Sequence, residues 1–308
     1  MMISVPLLRK LSSACLVFLA LLGAAMPTLA ADALLYATAV RMHYEDGQAR
    51  IECNLYRVDP ATGTATLVAP VRIGGNEPIA VVSLAIHPAT GTMYGVTAGL
   101  SGRIPRSLGA IDPATGDVKL IGALGEVASD LAFSHDGTLY AWLPERSRLA
   151  RVDLGNGHAT PVGDSGIAGV MGGGMAIDER DVGYVTATAA TGTLDTLDIR
   201  TGHGSSGPTL DGAPYISAIT NLTFGPDGKL YGVNSNMGAP ASTALVTIDA
   251  KSGKVTEVGR LPNDAHALIF VPGATAPMSP GAIQGWVALG VILIVALILF
   301  VARKRRGH

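Results

Sequence analysis

Four polar residues stand where a bound molecule could be met: Ser83, Asp130, Asn221 and His266. Ser83, Asp130 and Asn221 each directly precede an apolar triplet: Leu84-Ala85-Ile86, Leu131-Ala132-Phe133 and Leu222-Thr223-Phe224. Gly174 and Ala267 hold the equivalent position in two further copies, and His266 comes just before the last of these. Asp130 and Asn221 can accept or donate hydrogen bonds to a ligand, or help to hold a cation. A calcium ion would need roughly six to eight oxygens, and this set offers few acidic ones. The competing expectation is that these residues bond strand ends and trapped water.

Other candidates for chemistry resolve into turns. Aspartates 59, 112, 153, 198 and 249 recur in Asp-Pro-Ala-Thr-Gly and related runs such as Asp249-Ala250-Lys251-Ser252-Gly253. An aspartate opening a turn accepts from a backbone N–H two residues on, so these five are expected to be structural and not a carboxylate ring. His87 and His135 occupy equivalent hairpins, apart from any His-Glu-x-x-His or Cys-x-x-Cys pattern, and are expected to be solvent-exposed turn residues. There is no Gly-x-Ser-x-Gly elbow, and Met171-Gly172-Gly173-Gly174-Met175 lacks the lysine of a phosphate cradle. Asn221-Leu222-Thr223 matches a glycosylation acceptor but falls on a predicted strand. No catalytic residue, metal site or cofactor is predicted. The net charge of −2 gives no sign of a nucleic-acid partner.

The elements that position these residues follow from an internal repeat. Each unit reads as an apolar triplet, a turn, a strand bearing tyrosine (Tyr36, Tyr94, Tyr140, Tyr184, Tyr231), a strand ending in aspartate, and a closing strand such as Val118–Gly122. Asp136-Gly137 and Asp227-Gly228 are hairpin signals. Four short antiparallel strands per unit of about 45 residues describe a propeller blade. The first unit lacks a triplet, and a spare one appears at Ala267-Leu268-Ile269-Phe270. The expectation is an all-β, five-bladed β-propeller over 31–273, its C-terminal strand joining the N-terminal blade and closing the ring. Cys53, on the alternating Ile51-Glu52-Cys53-Asn54-Leu55, is expected to be a buried structural thiol.

The two ends predict a membrane topology. Residues 1–30, with Arg9-Lys10, an apolar run and Thr28-Leu29-Ala30, read as a secretory signal peptide. Residues 274–282 read as a proline-rich stalk. Ile283–Ala302 is long enough to cross a bilayer, and the basic 303–308 tail follows it. The body is thus expected in the periplasm or outside the cell, tethered by one transmembrane helix.

Leu-Tyr-x-Val-Asp-Pro-x-Thr-Gly together with Phe-x-x-Asp-Gly-x-Leu-Tyr resembles the repeats of extracytoplasmic bacterial β-propellers of the YncE, quinoprotein and NHL-like type. The tail, without the usual Pro-Glu-Pro, loosely resembles exosortase-type sorting signals. The first resemblance implies the fold and an outside location, with functions ranging over binding modules, adhesion proteins, lactonases and lyases. The expected function is a membrane-anchored module that binds a protein or carbohydrate partner. A lactonase-like hydrolase with a channel metal and an envelope scaffold are the alternatives.

Overall fold

The computed structural model describes residues 33–98, 105–167, 173–186, 192–215 and 218–272. The predicted signal peptide, stalk, transmembrane helix and basic tail lie outside these residues. Among the described residues no helix is long and apolar enough to cross a membrane, and the one helical element is a 3-10 turn at Pro144–Arg146.

The described strands form five blades, each built on four antiparallel strands from axis to rim, with blade 2 extended to six. The innermost strands are Ala265–Val271, Ala80–Ile86, Asp130–Phe133, Met175–Ile177 and Ala218–Phe224, for blades 1 to 5. In blade 1 the innermost strand comes from the end of the body and pairs with the first strand, Leu34–Glu45, setting Tyr36 opposite Ile269 and Ala37 opposite Leu268. The ring therefore closes as expected, and the first strand is not left as an unpaired edge. Blade 2 departs from the four-strand unit. A short pair, Arg72–Ile73 with Glu77–Pro78, extends its rim by parallel pairing to Asp117–Ala123.

Strand alternation is used at two interfaces at once. On Leu34–Glu45, Leu35 and Ala37 pack toward blade 5 with Tyr231, Val233 and Leu245. Tyr36, between them, packs toward blade 2 with Val81, Leu84 and Met93. The same holds around the ring, giving one apolar cluster per blade junction. A strand buried on both faces reads as a continuous apolar run, which is why the triplets carry so few polar residues. The repeat tyrosines belong to these junctions. Tyr94, Tyr184 and Tyr231 meet Phe133, Phe224 and Phe270 of the next blade, with ring centroids 5.6, 5.5 and 5.0 Å apart. Cys53 is buried, and burial pushes its thiol up to about 12, so it is an inert part of the blade 1–2 cluster.

The five repeat aspartates act as turn formers. Each carboxylate accepts the backbone N–H two residues on, at 2.8, 2.8, 2.7, 2.9 and 3.0 Å for Asp59, Asp112, Asp153, Asp198 and Asp249. The glycine ending each run takes positive φ, and it also seats the turn against the rim of the preceding blade. Gly157 (φ +79°) lies so close to the backbone of Gly122 that a Cβ would meet the Gly122 carbonyl carbon at 2.8 Å. Gly47 has a similar φ of +72° but open space around it. Gly157→Ala is therefore expected to cost roughly 2 to 5 kcal/mol, the sum of a left-handed backbone penalty and overpacking. Gly47→Ala carries only the first part, about 1 to 2 kcal/mol. Urea unfolding of the two variants side by side measures the difference.

Candidate functional site

All five inner strands begin at one end of the ring, here called the upper face, and end at the lower face. Just inside the upper face, Ser83, Asp130 and Asn221 are brought together, each with 0% exposure. The Ser83 hydroxyl and the Asn221 Nδ2 donate to Asp130 Oδ1 at 2.7 and 2.6 Å, and the Leu131 N–H adds a third bond at 2.9 Å. Asp130 Oδ2 accepts the N–H groups of Met175 and Leu222, at 2.7 and 3.2 Å. Asn221 Oδ1 in turn accepts the Leu268 N–H at 2.9 Å. One carboxylate and one amide thus join the inner strands of all five blades.

This geometry is that of bonded strand ends, the second of the two roles set out above. Every partner of Asp130 is a donor, and the group has no solvent-facing side. Asn221 is likewise closed to a glycosylating enzyme in the folded ring. Two buttresses flank the hub: Thr38 Oγ1 donates to Val81 O at 2.7 Å, and Thr186 Oγ1 to Ile219 O at 2.8 Å.

Burial pushes the Asp130 carboxyl up to about 7, while hydrogen bonds from Met175, Ser83, Leu131 and Leu222 pull it down. The ordinary value is 3.8, so the folded ring holds this proton more tightly than the unfolded chain does. Its stabilising contribution is full below about pH 4 and is lost as pH rises toward about 7. The stability gap between the native protein and Asp130→Asn is therefore expected to narrow across that window by on the order of 3 kcal/mol. Denaturant titrations at both ends of the window check this. The His266 imidazole is lowered, chiefly by burial and also by Arg106 against the pull of Asp264. That acts with the opposite sign but is common to both proteins.

His266 does not join the hub. It is half-buried and sits at a register shift, where Thr38 pairs with Ala267 but Ala39 with Ala265. Val82 and Thr220 occupy the same shift in blades 2 and 5. His266 lines an upper-face cleft of about 540 Å³ with Val40, Met42, Ala80, Val82 and Pro240. At the lower end the channel opens as an apolar funnel of about 290 Å³, lined by Ile86, Phe133, Ile177, Phe224 and Phe270. His135 is exposed as expected. His87 is not fully so: its ring packs 5.0 Å from Phe133, because the turn folds it back under the next blade. Among the described residues no three His, Cys, Asp or Glu side chains converge so as to hold a metal ion.

The feature that sequence reading missed is a two-stranded ribbon above the upper face. The first strand continues six residues past Ala39, its last partner on the inner strand. Residues 41–45 and 48–52 pair only with each other, around an Asp46-Gly47 turn in which both residues take positive φ. Cross-strand pairs share a face, so Met42, Tyr44, Ala49 and Ile51 form an apolar side, and Arg41, His43, Glu45, Gln48, Arg50 and Glu52 a polar one. Met42 is 68% and Tyr44 81% exposed, and Met237, on another upper-face loop, is 64% exposed. The alternation along 41–52 was the signal available for it.

Comparison with known proteins gives no matching family model and no matching curated protein. Solved structures do match. A chain of a nidogen/laminin complex aligns with TM-score 0.50 at 13% identity, covering 78% of this chain and 98% of that one. A protein of unknown function from Bacteroides caccae gives 0.46 at 13%, covering 78% and 99%. A calcium-binding protein, regucalcin, from Agrobacterium tumefaciens strain C58 gives 0.39 at 20%, covering 72% and 81%. The architecture is that of a β-propeller repeat protein.

Proposed function

We propose that the chain is a membrane-anchored, extracytoplasmic β-propeller that serves as an interaction module, with its upper face as the working surface. The ribbon carries this reading. Met42 and Tyr44 are large, apolar and mostly exposed on an element that nothing in the blade needs. Exposed apolar side chains grouped on a rigid support mark a binding surface. The hub seals the channel just below, so a macromolecular partner would meet the face and not the axis.

Leu34 pairs with Val271 at the lower face, so the described body begins and ends there and the ribbon stands at its opposite end. The test is retention of the full chain, in detergent, on a panel of envelope proteins and glycans. Met42→Ser/Tyr44→Ser is expected to lower any retained interaction at least about tenfold, the loss of two anchor side chains. No retention, or retention unchanged by the double substitution, overturns the reading.

A further inference from the structure

We propose that the partner of the ribbon is a second copy of this chain, joined by antiparallel pairing of the free edge of Arg41–Glu45 about a two-fold axis at His43. The inference rests on the ribbon being an interaction element and names what it takes.

The free edge is defined by the backbone. The Val40 N–H donates to Asp264 O at 2.9 Å, on the side of the inner strand. Main-chain groups alternate in direction along a strand, so those of Met42 and Tyr44 point the same way. There the inner strand has ended, and no described strand lies against them. No proline, lysine or bulge protects residues 40–45, the usual devices at an edge.

Side-chain order selects the register. An antiparallel ladder sets edge-facing residues opposite edge-facing residues. With Met42 opposite Tyr44 of the second copy, Arg41 falls opposite Glu45, and His43 meets its own counterpart on the axis. The pairs repeat by symmetry, so both polar pairs join opposite charges and both apolar pairs join Met42 to Tyr44. Sliding by two residues one way sets Arg41 opposite His43 and loses the charge match, and sliding the other way sets Met42 opposite Asp46 of the turn, where the strand has ended. The other edge of the ribbon fails the same examination. Ile51 opposite Ala49 would place Arg50 against Arg50, like charges directly across a ladder. Glu45 has one solvent-exposed contact within its own ribbon, to Arg50 at 3.6 Å, which leaves its carboxylate open to a second cation. The product is a four-stranded sheet with a ring at each end, an isologous contact that closes at two copies.

The experiment uses the full chain in detergent, with Cys15 and Cys53 replaced by alanine. His43 stands at a non-hydrogen-bonded pair, where Cα atoms are about 4.5 Å apart, within disulfide reach. His43→Cys is expected to give a covalent dimer under mild oxidation. Tyr44→Cys is expected to give little, because its counterpart is displaced along the strand beyond about 7 Å. By sedimentation, Glu45→Arg should weaken self-association about tenfold or more, and Arg41→Glu/Glu45→Arg should restore it to within roughly threefold. A monomer at all concentrations up to about a hundred micromolar, equal crosslinking at positions 43 and 44, or no recovery in the double variant would each overturn the proposal. If the chain is monomeric but Met42→Ser/Tyr44→Ser still loses a panel partner, the self-pairing falls and the interaction-module reading stands. If neither is seen, both fall.

Discussion

Replacing Asp130 with alanine is expected to cost about 4 kcal/mol or more, a large part of the roughly 5 to 15 kcal/mol that holds a domain together. The substitution removes one acceptor group from five donors in four blades: Ser83, Leu131, Met175, Asn221 and Leu222. Each donor left unpaired away from water costs about 1 to 3 kcal/mol. A water entering the vacated space can satisfy two of them, which sets the lower figure. The Leu131 N–H retains Ser83 Oγ at 2.9 Å, while the Met175 N–H has Asp130 Oδ2 as its one side-chain acceptor among the described residues. Ser83→Ala is a graded control: it removes one donor and leaves the carboxylate four, so about 1 kcal/mol is expected. Urea unfolding measures both. An Asp130→Ala midpoint close to that of the native protein would show that the hub does not bind the blades together.

The same residues were legible in the sequence one by one, and their contacts were not. The triplets fixed the phase of the inner strands, so Ser83, Asp130 and Asn221 could be placed at equivalent strand starts. Their mutual contact could not be read, because 47 and 91 residues separate the pairs and only ring closure brings them together. The aspartate turns were fully local and therefore readable, carboxylate to N–H within two residues. Their glycines were readable as positive-φ residues but not as contacts, since Gly122 and Gly157 meet across a junction between blades. The tyrosines marked the second strand of each unit, whereas the phenylalanines that Tyr94, Tyr184 and Tyr231 touch belong to the next unit. The ribbon stayed hidden for another reason. Residues 34–40 are apolar but for Thr38 and residues 41–45 alternate, and whether their end is blade or projection depends on where a strand more than two hundred positions later stops. The closing pair was legible because the count of triplets and tyrosines differed at the two ends of the body.

That closure yields the second large effect. A chain ending at Asp264 is expected to lose the folded ring altogether. The missing strand, Ala265–Val271, contributes Ala265, Ala267 and Leu268 to two junction clusters, and all three are at most 3% exposed. Losing Leu268 alone from a core costs about 2 to 5 kcal/mol. The ladder to residues 34–39 goes with it, and so does the Leu268 N–H that Asn221 Oδ1 accepts. The damage also spreads. Leu35 and Ala37 lose the surface that holds them against blade 5, and Phe270 no longer covers Tyr231. The first strand then presents an apolar, unpaired edge, the condition under which sheets aggregate. Leu268→Asp in the full-length chain tests the same junction without shortening it, by placing an unpaired carboxylate at a fully buried position. Near-ultraviolet circular dichroism and the sharpness of the thermal transition report the outcome. The truncated chain should show neither native signal nor cooperative melting. A truncated ring that melts as sharply as the full one would mean that four complete blades hold the fifth in place by side-chain packing alone.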